Sequence, residues 1–482
     1  MRAGIADDRG FQIKAALFAT GLLLYVMFQA PGAMDEGLTP ELIYASLPLV
    51  ACIAWLFPVE VALIFIAATM FRLHEAYPFL IPFRLPLITA GLSALAAGLH
   101  MVARTMSFPA KLEMKLALAF AAHVTLALIF AVSRDTSWTH WSTNFSKLMA
   151  GMVLLAVTLR LPRDATKIGM VLIPAGMLVS LVAIYNQLNG IGLVEGNRVT
   201  VGRDVKSILG DPNDLCFVLM FPVAFALGTL MTKGAGAKMR LLSLVALPLI
   251  FWAILATRSR GGVLATLAVC AFFFMRTRKN FIVPLVATAA LGAILFVASG
   301  IGERSMSAAV GDAVDASARG RLDAWWAATR MALAYPLFGV GMGNFSDLYF
   351  NYTSFWDGRG IATHSMWFQV LAEAGFIGLF LYVAMVVVAI RSAMRSLRLF
   401  DLHGAPPQVM ALSCAVVAAW FGICVAGSFL SQAFSWQVFT LVALTAVIGR
   451  YADERYLARA KEMAESENFT PIGLRVARPA LA

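Results

Sequence analysis

Long apolar runs recur along almost the whole chain, and they constrain its fold more than any other feature. Runs long enough to cross the hydrocarbon core of a bilayer follow one another from residue 11 to residue 450. In lipid, a helix satisfies its own backbone hydrogen bonds, whereas strands must close into a barrel. The 482 residues are also 60% hydrophobic and only 13% charged, which is too apolar for a soluble multidomain chain. The sequence therefore predicts an all-α fold, a polytopic helical bundle in a membrane.

We predict about fourteen spans, each near the length that a bilayer requires. The predicted spans are residues 12–30, 41–57, 58–72, 83–103, 113–133, 144–160, 168–188, 212–231, 239–256, 261–276, 281–299, 366–390, 408–429 and 434–450. The first apolar run is not followed by the small-residue cleavage site of a secretory signal. We therefore expect this run to be retained as a span.

The net charge of +11 raises the possibility of a nucleic-acid partner, but clusters of cations occur in alternate short loops, which lie on one side of the predicted spans. The side that carries them, together with both termini, is the cytoplasm by the positive-inside tendency. The cations on this side are Arg104, Lys111, Arg160, Arg163, Lys167, Lys233, Lys238, Arg240, Arg276, Arg278, Lys279, Arg391, Arg395 and Arg398. The charge thus sets the topology, and we predict no nucleic-acid partner.

The chain divides into four predicted segments. Residues 1–299 form an N-terminal transmembrane bundle, 300–365 a large outside loop with amphipathic helices, 366–450 the C-terminal transmembrane helices, and 451–482 a cytoplasmic tail. The five cysteines all fall within apolar stretches and lack paired spacing, so we interpret them as packing residues rather than as disulfide or metal-site residues.

Three segments on the outside hold arginine, where the positive-inside tendency predicts few. The first, residues 195–214, carries Arg198, Arg203 and Lys206 ahead of a turn at Asp211-Pro212. One interpretation is a solvated loop whose cations pair with nearby carboxylates. The other is an anion site, because arginine binds phosphate oxygens with two parallel hydrogen bonds and stays charged at any working pH.

The second segment, "TRSRGG" at residues 257–262, places two arginines between spans with almost no loop to solvate them. Charge at this depth indicates a functional site, although Arg258 and Arg260 could also extend to the lipid headgroups. Gly261 and Gly262 at the start of a helix would let backbone N–H groups approach an anion closely.

The third segment is the long outside stretch. Within the stretch Arg321 to Phe345, the sequence has the pattern of an amphipathic helix that Pro336 stops, with Trp325 and Trp326 at the level of the membrane interface. A glycine-rich turn follows at residues 339–343, with a spacing unlike that of nucleotide-binding loops. These glycines are expected to let the chain turn back over the bundle.

Among six histidines, His364 alone combines an outside location with a helix start and an acidic residue in the following span. Its ordinary pKa of about 6.5 suits proton transfer, although a structural role is the alternative. The acidic residue, Glu373, lies roughly two and a half turns deeper and cannot touch His364 along the helix. We expect Glu373 to form a structural ion pair with an arginine of a neighbouring span.

Together these segments resemble the O-antigen ligase family, which includes lipopolysaccharide O-antigen ligases and related O-antigen polymerases. The resemblance rests on the arginine-bearing loop before "DPND", the "SRGG" span start, the "YPLFGVGMGNF" segment and the "HSMWFQVLAEAGFIG" span start. They follow one another in the family's order between Arg198 and Leu381.

The resemblance implies transfer of a glycan from undecaprenyl pyrophosphate to an acceptor hydroxyl, with inversion at the anomeric carbon. It places the active site on the periplasmic face of the bacterial inner membrane, surrounded by membrane lipid, and implies no cofactor and no metal. It assigns a catalytic role to His364 and Arg260, with Arg198 or Arg203 as the counterpart of the family's loop arginine. With the residues described above, the full prediction is catalytic His364 and Arg260; pyrophosphate-binding Arg198, Arg203, Arg258 and Arg260; supporting Lys206, Arg321 and Glu373.

Several alternatives share these features. The leading acceptor is lipid A-core, to which an O-antigen ligase would join the glycan. A polymerase of O-antigen or exopolysaccharide would use a second lipid-linked glycan, and a protein O-glycosylation ligase would use protein. A lipid-linked sugar transporter would require arginines at midplane and two similar halves, and we find no convincing repeat. Asp35 with Glu36, or Asp211 with Asp214, could hold a divalent ion, but the arginines favour chemistry without metal.

Overall fold

The computed structural model describes residues 52–103, 106–277, 313–354, 358 and 361–457. Over these residues the protein is all-α, as predicted. The α-helices are α1 Pro58–Met70, α2 Leu73–Ala76, α3 Leu85–Val102, α4 Leu112–Phe130, α5 Arg134–His140, α6 Ser146–Thr158, α7 Ala165–Asn189, α8 Pro212–Met231, α9 Ala237–Ala256, α10 Arg260–Thr277, α11 Ala313–Ala334, α12 Phe345–Tyr352, α13 Met366–His403, α14 Pro407–Gly427 and α15 Trp436–Ala452.

Seven helical segments in the described part of the chain are long and apolar enough to cross a membrane, which confirms the polytopic fold. They are Pro78–Val102, which joins a 3₁₀ turn to α3, and α4, α7, α8, α9, α13 and α14. The predicted spans 12–30 and 281–299, and most of 41–57, lie outside the described residues.

Two predicted boundaries were wrong because the helices continue into polar sequence. The span expected at residue 144 begins at Arg134, since α5, a π-helical turn at Trp141–Phe145 and α6 follow one another without interruption. The Ser133 hydroxyl caps this start by accepting the Thr136 N–H. Similarly, α13 continues from the expected end at residue 390 to His403.

Helices α8 and α14 form the centre of the bundle. They pack against each other, α8 also contacts α7, α9 and α10, and both helices are largely enclosed. In contrast, α9 exposes Leu241, Leu244 and Trp252 on its outer surface, as expected of a helix that faces lipid. The bundle thus has the distribution of a membrane protein, with a packed centre and an apolar perimeter.

The cysteines mostly pack inside the bundle. Cys216, Cys270 and Cys414 are buried and Cys424 is partly buried, as predicted, whereas Cys52 is exposed. All five are free thiols.

Candidate active site

Helices α8, α10, α13 and α15 all begin at one end of the bundle, which we call the site end. Hydrogen bonds between side chains join the starts of these helices. Ser259 and Asn213 link α10 to α8. The loop between α14 and α15 is linked to Asp214 of α8 by Gln432, and to the residues before α13 by Ser431. Segments far apart in sequence therefore meet here.

Arg198 ties the first arginine-bearing segment to this end. Its backbone pairs with Val194 in a short antiparallel bridge, and the next residue donates its N–H to the Ala256 carbonyl. The side chain is buried, with Nε donating to the Thr257 carbonyl at 3.1 Å and Nη2 to Asn213 Oδ1 at 2.9 Å. The guanidinium is thus engaged with protein groups, and its contact with pyrophosphate stays a prediction.

Asn213 and Ser259 extend this link to the start of α10. Asn213 Oδ1 accepts from Ser259 Oγ at 2.8 Å as well as from Arg198, and Ser259 Oγ accepts the Gly262 N–H at 3.2 Å. This last bond caps the helix that carries Arg260. The "DPND" and "SRGG" motifs are therefore one hydrogen-bonded unit.

The N-terminal cap of α8 is Asp211. Its carboxylate accepts the N–H groups of Asn213 at 2.7 Å and Asp214 at 3.4 Å, with Pro212 as the first helical residue. Proline favours this first position because its missing N–H is not needed there. Asn213 is consequently available to bridge Arg198 and Ser259.

Arg260 is the first residue of α10, is exposed, and lies close to Arg321 of α11. Burial lowers the pKa of Arg321, and the positive charge of Arg260 lowers it further. Two guanidinium groups near each other repel, and an anion bound between them would offset that repulsion.

His364 completes this group, which we call the cationic cluster: Arg260, Arg321 and His364. The imidazole lies two residues before α13 and is half-buried. Burial lowers its pKa, Arg321 lowers the pKa further, and Asp211 partly opposes both. The imidazole is therefore neutral near pH 7 and able to accept a proton.

Trp325, predicted to lie at the level of the membrane interface, packs against this region. Its ring stacks on Phe368 of α13 with centroids 5.1 Å apart, and its Nε1 donates to the Thr363 carbonyl at 3.0 Å. Trp326, the next residue, is 64% exposed, as expected of an interfacial side chain. Trp325 thus fixes α11 to the backbone just before His364.

Two other predicted site residues, Arg203 and Arg258, line separate cavities. Arg258 borders a cavity of about 400 Å³ with Gln187 and Trp252. Arg203 borders one of about 460 Å³ with Tyr77 and Tyr185. Lys206 is exposed on the same loop as Arg203. The sequence predicted one group of pyrophosphate-binding cations, whereas the fold distributes these cations over separate positions around the site end.

Glu373 lies immediately before a break in α13. Gly375 has φ 70° and ψ −171°, so the first part of the helix ends there and a second part continues to His403. A helix end leaves carbonyl groups without partners. Here the Ala372 and Glu373 carbonyls accept N–H groups of Val340 and Gly341, at 2.8 and 3.2 Å.

The prediction that Glu373 forms an ion pair with an arginine was wrong. Among the described residues the carboxylate forms no salt bridge, and it accepts the backbone N–H groups of Gly343 and Phe345 instead. The end of the glycine-rich turn and the start of α12 make this possible by presenting two N–H groups to one anion. At Gly343, where φ is +80°, a Cβ atom would clash with the His140 ring. The turn does pass back over the bundle, as predicted.

Replacing Glu373 with alanine is expected to destabilise the protein, because the two turn amides would lose their acceptor. Each buried N–H left without a partner costs about 1–3 kcal/mol. Thermal unfolding in detergent should show a lower Tm for Glu373→Ala and an intermediate value for Glu373→Gln, which retains one acceptor oxygen. Glu454→Ala, at an exposed carboxylate, is the matched control. Equal melting of all four proteins would contradict this role for Glu373.

The alternative metal site has a specific obstacle. One oxygen of Asp211 caps α8, and Asp214 Oδ1 accepts from Gln432 Nε2 at 2.6 Å. Within the described residues, no group of three His, Cys, Asp or Glu side chains has the spacing to hold a metal ion. Asp35 and Glu36 lie outside the described residues.

A family model described as O-antigen ligase matches residues 244–383. The matched segment holds the entire cationic cluster, together with Glu373 and the break in α13. The search of curated proteins found no match. The family match confirms the resemblance seen in the motifs. Proteins of this family are glycosyl-transferring enzymes, and the family implies a lipid-linked glycan and a glycan acceptor as substrates in general. Over residues 244–383, the chain is similar to the O-antigen ligase family.

Proposed function

We propose that this protein transfers a glycan from undecaprenyl pyrophosphate to a hydroxyl of lipid A-core, at the periplasmic face of the bacterial inner membrane. The observation that carries the proposal is the cationic cluster, in which two arginines and a neutral histidine meet at one end of a membrane bundle. The periplasm supplies no ATP, so the donor must arrive already activated. A lipid pyrophosphate meets this requirement once its leaving charge is stabilised.

Each part of the cluster has a role in a single displacement. The acceptor oxygen attacks the anomeric carbon while the bond from that carbon to the pyrophosphate oxygen breaks, which inverts the configuration. The electron pair leaves with the pyrophosphate, whose charge Arg260 and Arg321 stabilise. The acceptor proton passes to the neutral His364 imidazole.

The remaining predicted cations support this site in different ways. Arg198 holds the turn before Arg260 in place through Asn213 and Ser259. Arg258 borders a cavity next to the turn before Arg260, and Arg203 borders a separate cavity next to the loop that carries Arg198. In these cavities they would contact the more distant phosphate or sugar oxygens of the donor. Lys206 adds positive charge on the exposed loop.

Product analysis tests the proposal directly. The purified protein would be given a defined undecaprenyl-pyrophosphate-linked repeat unit, with and without lipid A-core, in the absence of nucleotide. We expect one glycan to be transferred, and only when the core is present. A ladder of longer lipid-linked glycans without core would replace ligation with polymerisation, and absence of any transfer would overturn the proposal.

A chelator is expected to leave the transfer rate unchanged, because arginines rather than a divalent ion balance the pyrophosphate charge. The rate would be measured in excess EDTA and again after adding Mg²⁺ or Mn²⁺. A metal-dependent glycosyltransferase in the same buffer serves as the control for chelation. Loss of activity in EDTA that the metal restores would show that a divalent ion takes part.

A further inference from the structure

His364 adopts a strained backbone conformation that its surroundings must impose. Its φ of 48° lies in the left-handed region, where side chains other than glycine are uncommon. Such a conformation is unfavourable for a side chain other than glycine and persists only where neighbouring groups determine it. The residues that impose it on His364 are therefore part of how the site is built.

Ser431, in the loop between α14 and α15, makes the contact closest to this strain. Its Oγ accepts a hydrogen bond from the backbone N–H of His364 at 2.8 Å and lies 2.9 Å from Thr363 Oγ1. Thr363 Oγ1 donates its proton to the Ser365 carbonyl at 3.0 Å. The Ser431 proton must then point to Thr363 Oγ1, which leaves a Ser431 lone pair for the His364 N–H.

Other bonds hold the same loop rigidly against the site end. Gln432 donates to Asp214, the Ala433 N–H donates to Gln369 Oε1 at 3.2 Å, and the Tyr382 hydroxyl donates to the Ala433 carbonyl at 3.2 Å. Ser431 is thus held in a fixed position relative to the site end. It lies 48 residues beyond the end of the family match at residue 383.

We propose that Ser431 is a positioning residue that holds His364 in its strained conformation and so directs the imidazole toward the acceptor hydroxyl. This inference rests on the proposed role of His364. Without the Ser431 hydroxyl, the backbone N–H of His364 loses its acceptor and the backbone relaxes to an unstrained conformation. The imidazole then leaves its half-buried position, where the charges of Arg321 on α11 and of Asp211 at the start of α8 act on it.

The test compares Ser431→Ala, Ser431→Thr and Ser428→Ala. Ser428 is the matched control, because it belongs to the same loop but contacts Trp367 Nε1 and the Cys424 carbonyl instead of Thr363 or His364. We expect Ser431→Ala to lower kcat about 10–100-fold with little change in KM, since a small misplacement of a catalytic group has effects of this size. Ser431→Thr should recover most of kcat, and Ser428→Ala should resemble the wild type.

A second readout separates positioning from general damage. The acid limb of the rate profile should move to higher pH in Ser431→Ala, because the released imidazole regains an ordinary pKa near 6.5. An NMR titration of ¹³C-labelled histidine should show the same movement without any turnover. A folded Ser431→Ala protein with wild-type kcat and an unmoved titration would overturn the proposal. If the wild type transfers no glycan, the proposed function fails instead, while the titration still tests the link from Ser431 to His364.

Discussion

Replacing Arg260 with alanine is expected to reduce the rate of glycan transfer by about 10²–10³-fold, the loss typical when one preorganised group that stabilises developing charge is removed. Arg260 begins α10 and shares the cationic cluster with Arg321, so its removal leaves the cluster with one guanidinium to stabilise the leaving pyrophosphate. Because the charge develops as the bond breaks, the loss should fall on kcat more than on KM.

The Arg260 experiment has a graded and a negative control. Arg260→Lys keeps the charge but cannot form two parallel hydrogen bonds to phosphate, so its rate should lie between those of wild type and alanine. Arg240→Ala removes an arginine near the opposite end of the bundle and should have no effect. Membrane insertion and Tm would be measured for each variant. Near-normal turnover by a folded Arg260→Ala protein would remove Arg260 from the mechanism.

Replacing His364 with alanine is expected to lower kcat by about 10²–10⁴-fold, the contribution typical of a positioned general base. The wild-type pH profile should add a signature of its own. The base is active when neutral, and its pKa in the folded protein is below 6.5, so activity should persist at pH 6.5 and fall only as the pH drops further. In the alanine variant this acid limb should disappear along with most of the rate.

His403 provides the matched control, since it is an exposed histidine at the far end of α13, the helix that begins just after His364. His403→Ala should retain both the rate and the acid limb. His364→Gln can hydrogen-bond to the acceptor without accepting its proton, so it should resemble alanine in rate while preserving substrate KM. A folded His364→Ala protein with wild-type turnover would assign proton transfer to another group.

The transmembrane helices were largely predictable because apolar length alone determines what can cross a bilayer. The start of the helix at Arg134 was not, because the polar residues that open it lack the apolar signal. The break at Gly375 was also missed, since a single glycine in an apolar run has the same composition whether or not its φ is positive.

The candidate site was predictable only where charge marked it. Arg260, Arg321 and His364 stand out in an apolar sequence, and the fold brings them together. The partner of Glu373 was not predictable, because backbone amides carry no sequence signal and only the folded turn aims them at one carboxylate. Ser431 was missed for a similar reason: serine is common in loops, and its contact with His364 spans 67 positions of the sequence.

The shared starting end of α8, α10, α13 and α15 has an electrostatic consequence. Each helix carries a partial positive charge of roughly half a unit at its first turn, produced by aligned peptide dipoles. These charges belong to the backbone, so no side-chain substitution removes them and no change in pH neutralises them. A donor pyrophosphate would still meet a favourable potential after an arginine is lost. The Arg260→Ala protein should accordingly keep a slow, measurable rate instead of falling to the uncatalysed rate.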